Sequence, residues 1–295
     1  MMARRALLVV LAAGLSCCGM CSGESAMATF NVLTRTFMIQ AGQSRATVFS
    51  ISVDNREYWI TAKHVFTGVK RGPAGEFKTK RVVANILSQN GGESGNDQTW
   101  LTEQFTVMDP GKDIDILVLV PDRILGNTDR SMVLQAQSFG PMLGGDCEFL
   151  GFPWLGGWKT HIGESKNWVW LPYIKRCEVS GTLSEHNIWV LDGINNEGFS
   201  GGPVVYETGP KQRVFAVISG FYQEPLEVVS LPAPGQRSTS HVPPTPRLQG
   251  KPKKNQDKQI VEANSGFIVA FGIEPALDVI RANPIGPLIP VAAQK

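Results

Sequence analysis

Runs of alternating or continuous apolar residues, broken by Gly, Asn, Asp and Pro, recur along most of the chain. Thr47-Val48-Phe49-Ser50-Ile51-Ser52-Val53 alternates, meets a turn signal at Asp54-Asn55, and resumes at Tyr58-Trp59-Ile60-Thr61. That pattern predicts a β-hairpin. Further strands are predicted at Arg81 to Leu87, Thr102 to Met108, Ile114 to Val120, Asp146 to Leu150, Lys175 to Leu183 and Ile188 to Leu191. Gly202 to Tyr206, Val214 to Tyr222 and Phe267 to Ile273 complete the set. Strands this closely spaced, with few helical patterns between them, predict a barrel or sandwich rather than alternating βαβ units. One helix is predicted over Pro275 to Ala282, with proline at its start and Asn283-Pro284 closing it.

Both ends and one internal segment depart from this pattern. Arg4 and Arg5 precede an apolar run, Ala6 to Leu15, which is followed by small residues and by Cys17, Cys18 and Cys21. A basic start, a short apolar stretch and small residues describe a secretory signal peptide over residues 1–26, with Gly23 or Ala26 preceding the cut. The apolar run is too short to span a bilayer as a mature helix. The mature chain is therefore expected to be exported, periplasmic or secreted. Gly14-Leu15-Ser16 before Cys17 makes a poor lipobox, which weighs against a lipid anchor. From Pro232 to Asn264 the chain is rich in Pro, Ser, Gln and Lys and reads as a flexible surface insertion. Its Lys251, Lys253, Lys254 and Lys258 read as solvated, because no aromatic residues are interleaved. Residues 284–295 read as an extended tail.

Composition narrows the functional classes. A hydrophobic content of 42% over 295 residues fills a sizeable core and excludes wholesale disorder. Gly 31 and Pro 19 lack a Gly-X-Y period, which excludes collagen. With 18% charged residues and a net charge of +2, the basic excess of a dedicated nucleic-acid binder is missing. No Cys-x-x-Cys occurs outside the leader and no His-x-x-x-His at all, so zinc has no ligand set. Gly-Lys-Ser/Thr phosphate loops and Gly-x-Gly-x-x-Gly fingerprints are also missing. Once the leader is removed, Cys147 and Cys177 remain. Such a pair in an exported protein is either a disulfide or two buried thiols. If bonded, it would close a loop of about 30 residues and contribute roughly 3–4 kcal/mol in the chain-entropy model.

Three segments carry candidate chemistry. Trp59-Ile60-Thr61-Ala62-Lys63-His64-Val65-Phe66 delivers a histidine at the end of an apolar strand. Asp113-Ile114-Asp115-Ile116-Leu117-Val118-Leu119 is a hydrophobic strand headed by carboxylates. Glu197-Gly198-Phe199-Ser200-Gly201-Gly202-Pro203-Val204 flanks a serine with glycines before a strand. Together these resemble the His, Asp and Ser motifs of trypsin-like serine peptidases, and most closely the bacterial HtrA-related branch without its PDZ domains. The order His, Asp, Ser is the chymotrypsin-type order. Gly145 to Pro153, Val179 to Ser184 and Phe271 to Pro275 resemble further strands of that family. The likeness spans roughly residues 30 to 283.

The resemblance implies an all-β fold of two six-stranded antiparallel barrels with a short C-terminal helix. The N-terminal barrel would occupy residues 27–130 and the C-terminal barrel residues 131–283. It implies an endopeptidase acting on polypeptides, with neither metal nor organic cofactor. Ser200 would be the nucleophile, His64 the base, Asp115 the group that orients His64, and the N–H groups of Gly198 and Ser200 the oxyanion hole. Asp115 fits the family's Asp-aliphatic pattern better than Asp113, which would place a carboxylate where an apolar residue belongs. Lys63 replaces a common alanine and is expected on the solvent side. Phe199 stands where a small or polar residue is common. Ile194, Ser219, Gly220 and Phe221 fall where substrate-binding residues are expected, and Ile194 with Phe221 implies an apolar pocket. Fold does not fix function. The alternative is a catalytically silent binder or chaperone on the same fold.

Overall fold

Two antiparallel barrels follow one another along the chain. The computed structural model describes residues 30–69, 75–89, 98–126, 133–153, 156–161, 168–208, 211–227 and 260–290. The expected signal peptide, residues 232–259 of the expected insertion and the end of the tail lie outside these. A short helix, α1 (Phe30–Thr34), leads into β1 (Thr36–Ala41), β2 (Ser44–Val53) and β3 (Arg56–Thr61). A single helical turn, α2 (His64–Thr67), precedes β4 (Arg81–Leu87), β5 (Trp100–Met108) and β6 (Leu117–Pro121). These strands close a barrel in the order β1-β2-β3-β6-β5-β4.

The second unit comprises β7 (Gln135–Ala136), β8 (Asp146–Gly151), β9 (Trp158–His161), β10 (Trp168–Leu171), β11 (Tyr173–Leu183) and β12 (Ile188–Asp192). It continues through β13 (Pro203–Thr208), β14 (Lys211–Glu227), β15 (Ile260–Gly272) and the helix α3 (Glu274–Ala282). Strands pair in the order β13-β8-β11-β12-β15-β14, and β13 also pairs with β14, which closes a ring of six. The two-residue β7 adds in parallel outside the ring, and β9 with β10 forms a separate two-stranded sheet. This is the two-barrel, chymotrypsin-type architecture with a C-terminal helix.

Side-chain alternation sorts the core into layers. Trp59, Leu117 and Leu119 join Phe37, Val48, Ile86 and Phe105 inside the first barrel. Their neighbours Tyr58, Ile60, Val118 and Val120 point the other way. They meet Leu150, Val205, Val217, Leu277 and Ile280 between the first barrel, the second barrel and α3. A strand buried on both faces reads as a continuous apolar run, which is why Leu117 to Val120 shows no alternation in sequence. The second barrel is filled by Phe149, Val179, Leu191, Phe199, Val204, Phe215 and Ile268. The hairpin joining β2 to β3 turns at Asp54 (φ 50) and Asn55 (φ 58). Two successive left-handed residues are what a two-residue turn matched to strand twist requires.

Several sequence expectations are revised. β1, β7, β9 and β10 are additional to the expected strands; β7 spans two residues, and β9 with β10 forms a two-stranded sheet. The strand expected from Ile114 begins at Leu117, so both candidate aspartates precede it. Residues 260–264, assigned from sequence to the insertion, open β15 and pair with the far end of β14. Among the described residues, no helix is long and apolar enough to cross a membrane.

Cys147 and Cys177 are direct cross-strand partners in β8 and β11. Both are buried free thiols, and burial with the neighbouring Cys147 thiol holds the Cys177 thiol far above its ordinary range. A thiol kept protonated is a poor nucleophile for exchange. We expect the protein, unfolded in denaturant without reductant, to react with two equivalents of a thiol reagent at these positions. Reaction only after reduction would show that the pair is bridged.

Candidate active site

Strand pairing brings the histidine and aspartate segments together. β3 and β6 are antiparallel neighbours with Thr61 opposite Leu117. The residues just after β3 therefore lie beside those just before β6. His64 Nδ1 lies 2.7 Å from Asp115 Oδ2, and the His64 backbone N–H donates to Asp115 Oδ1 at 2.8 Å. The Ser219 hydroxyl donates to the same Oδ2 at 2.5 Å. A carboxylate gripped by donors on both oxygens cannot rotate, so it fixes the imidazole plane and favours the tautomer with hydrogen on Nδ1. Asp115 is 8% exposed, whereas Asp113 is exposed to solvent. Burial, not strand face, separates the two.

Lys63 is not on the solvent side. It is 0% exposed, and its ammonium pairs with Asp109 at 2.6 Å. It also donates to the carbonyls of Gly75 (3.0 Å) and Gly111 (2.5 Å). The strand turns into α2 at this residue, which sends the side chain inward beneath two loops instead of outward. Asp109 is further bound by the N–H groups of Phe77 (2.6 Å) and Gly111 (3.0 Å). A buried ammonium is tolerable because a carboxylate and two carbonyls surround it. The cluster ties the residue before His64 to the loop that leads to Asp115.

The serine lies in the turn between β12 and β13. Gly198 has φ +101 and Gly201 φ +81, conformations that disfavour any side chain. A Cβ at Gly198 would sit 2.3 Å from the Phe152 carbonyl oxygen, and one at Gly201 would sit 2.2 Å from that of Thr47. Phe199 is buried in the second barrel, edge-on to Phe149 at 5.0 Å, with the Lys175 ammonium 5.4 Å from its ring. The residue that departs from the family pattern is thus a core anchor pointing away from Ser200's surroundings. Among the described residues, the backbone N–H groups of Gly198 and Ser200 meet no acceptor, while Gly201 and Gly202 donate to Ile218 and Phe199. The Ser200 hydroxyl donates to the Ser219 carbonyl at 3.3 Å, and no hydrogen bond joins it to His64 among the described residues.

Sequence reasoning missed Thr47, a fully buried residue of β2. Its N–H donates to the Ser200 carbonyl (2.9 Å) and its hydroxyl to the Gly198 carbonyl (2.7 Å). The Phe152 N–H donates to that hydroxyl (3.1 Å), and the Thr61 hydroxyl donates to the Thr47 carbonyl (2.7 Å). A threonine within an alternating strand carries no signal of such a role.

The expected substrate-binding residues are scattered in character. Ile194 is 64% exposed, and its carbonyl accepts from Lys175 Nζ at 2.6 Å, with Asn196 Oδ1 at 2.5 Å from the same ammonium. Burial pushes the Lys175 amine below its ordinary range. The buried Asn195 donates to the Gly220 carbonyl (3.3 Å), and Asn264 donates to the Asn195 carbonyl (2.6 Å). Phe221 is partly buried opposite Ile268. Ser219 serves Asp115 through its side chain and Ser200 through its carbonyl. Among the described residues, no group of three or more His, Cys, Asp or Glu could hold a metal ion.

No family model and no curated protein matches the chain. Solved structures similar to it include the active form of the Rv3671c protease from M. tuberculosis, at 12% identity, covering 85% of this chain and 81% of that one, with a TM-score of 0.44. The HtrA-type protease AlgW with a tripeptide is similar at 13% identity over 85% of this chain and 60% of its own, with a TM-score of 0.46. Human heparin binding protein is similar at 14% identity, over 89% of this chain and 97% of its own, with a TM-score of 0.45. At such identities each is a likeness of chain path, and the assignments below rest on this chain's own geometry.

Lys63→Met should destabilise the protein by about 3 kcal/mol, near the lower end for breaking a buried pair, because Asp109 keeps its backbone donors. Urea unfolding measures this directly. A loss below about 1 kcal/mol would mean that water reaches the pair and that it anchors little.

Proposed function

We propose that this chain is an exported serine endopeptidase acting on polypeptides through Ser200, His64 and Asp115. The observation that carries this reading is the doubly bound Asp115 carboxylate, which receives both the ring Nδ1 and the backbone N–H of His64. It leaves His64 Nε2 without a partner among the described residues and available as a base. Export rests on the basic, apolar and small-residue order of residues 1–26.

In this reading Ser200 Oγ attacks the scissile carbonyl carbon while His64 Nε2 takes the hydroxyl proton. The carbonyl oxygen becomes an oxyanion, stabilised by the open N–H groups of Gly198 and Ser200. As the C–N bond breaks, His64 returns the proton to the leaving amine and an acyl-Ser200 remains. Water, deprotonated by His64, then releases the acid and regenerates the serine. Asp115 holds the imidazole orientation and offsets its positive charge throughout. Because the Ser200 hydroxyl rests on the Ser219 carbonyl, it must turn towards Nε2 when substrate docks. Catalytic hydrogen bonds are often loose before substrate binds.

That same resting bond favours a second reading, a silent binder whose serine is never activated. A fluorophosphonate probe separates the two, since it modifies an activated serine. We expect labelling and peptide cleavage in the wild type and neither in Ser200→Ala. Asp115→Asn should lower turnover by around 10⁴-fold through the wrong His64 tautomer, while the exposed Asp113→Asn changes it little. Folded wild type that resists the probe at mildly alkaline pH would support the binder. Equal effects of the two aspartate changes would remove Asp115 from the mechanism.

A further inference from the structure

We infer that Thr47, on the first barrel, is a positioning residue for the oxyanion hole on the second. The inference rests on the peptidase reading and goes beyond it by naming what keeps the hole open. The donors of that hole belong to two peptide units: Glu197–Gly198 carries the Gly198 N–H, and Phe199–Ser200 carries the Ser200 N–H. Thr47 binds the carbonyls of the units that flank the second, Gly198–Phe199 through its hydroxyl at 2.7 Å and Ser200–Gly201 through its N–H at 2.9 Å. The Phe199–Ser200 unit is also held directly, since its carbonyl accepts from the Gly202 N–H at 2.8 Å, and with its neighbours fixed on both sides it has little freedom to rotate. The Gly198 carbonyl grip also limits rotation at Gly198 itself, next to the first donor.

The need for such a grip follows from the loop's composition. Gly198, Gly201 and Gly202 lie close together around Ser200, and glycine populates more backbone conformations than any other residue. A peptide flip at Gly198 would turn a carbonyl oxygen towards the substrate oxyanion and repel it. Packing of Phe199 against Phe149 fixes one side chain but no peptide plane. The Gly198–Phe199 plane has a 3.3 Å bond from the Phe199 N–H to the Asn196 carbonyl and the shorter bond of the Thr47 hydroxyl. That hydroxyl is itself held in a single sense, because it accepts from the Phe152 N–H at 3.1 Å and so directs its proton to the Gly198 carbonyl. Thr47 is held in turn by Thr61, just before the His64 segment, whose hydroxyl binds the Thr47 carbonyl. The N–H contact would survive any substitution except proline; the hydroxyl contact is the part open to mutation.

The test compares Thr47→Val, which keeps the shape and loses the hydroxyl, with Thr47→Ser, which keeps the hydroxyl. Both are assayed on the best substrate from a fluorogenic peptide library, with active molecules counted by fluorophosphonate titration. Losing an oxyanion donor outright costs ~10²–10³ in kcat; loosening one should cost Thr47→Val roughly 10–100-fold. KM should change less than about threefold, since the ground-state carbonyl gains little from the hole. Thr47→Ser should recover most of the loss, and the pH profile of kcat/KM should keep its shape because His64 is untouched. Should the valine variant be insoluble, Thr47→Ala reads the same loss. A kcat within twofold of wild type in the variants lacking the hydroxyl, a loss confined to KM, or a serine variant as slow as the valine one would overturn the inference. A wild type that neither cleaves peptides nor takes the probe would instead overturn the peptidase reading, and this inference with it.

Discussion

The site depends on one edge, where β2 of the first barrel meets the serine turn of the second. Each barrel closes its own hydrogen-bond ring and fills its own interior, so neither needs the other to satisfy its backbone. His64 and Asp115 belong to the first barrel, and Ser200 to the second. Their relative position is set by the shared apolar layer that includes Ile60, Val118, Leu150 and Val217, and by the polar contacts of Thr47. Apolar packing supplies most of the association energy but little directional precision. Hydrogen bonds from a fully buried residue supply direction, and in a dry interface they are costly to leave unmade.

The same division appears on the histidine side. Strand pairing of Thr61 with Leu117 brings two loop segments near each other, but the final geometry comes from polar groups. Lys63 and Asp109 tie the loops below the pair, and Ser219, arriving from β14, adds its hydroxyl to Asp115. Ser219 thus links two of the three candidate residues: it binds Asp115 through its side chain and Ser200 through its carbonyl. An all-β scaffold with a rigid interior can hold such a constellation on loops because the loops are short or cross-tied.

Much of this was legible from the sequence, and the misses share a cause. Alternation in β2 and β3 and the turn at Asp54-Asn55 gave away the first hairpin. The glycines around Ser200 marked a turn that no other residue could make, and the contacts a Cβ would meet at Gly198 and Gly201 account for them. What stayed hidden was direction. Lys63 looks like a surface residue until the strand turns into a helix at that position. The motif pattern favours Asp115 over Asp113, but that both precede the strand and that Asp115 alone is buried shows only in the fold. Phe199 looks like a departure until its ring is found inside the second barrel. Thr47 looks like any strand threonine. Pattern reveals which residues are buried and how often, whereas these roles depend on which neighbour each faces across the barrel junction.

A crystal structure of the wild-type protein with a phosphonate inhibitor bound tests the central claim most directly, because the adduct mimics the tetrahedral intermediate. The account predicts phosphorus bonded to Ser200 Oγ. The phosphonyl oxygen should lie about 2.7–3.1 Å from the N–H groups of both Gly198 and Ser200, with His64 Nε2 turned to the serine oxygen. Phosphorus on another residue, or an oxygen pointing away from those two donors, would contradict it.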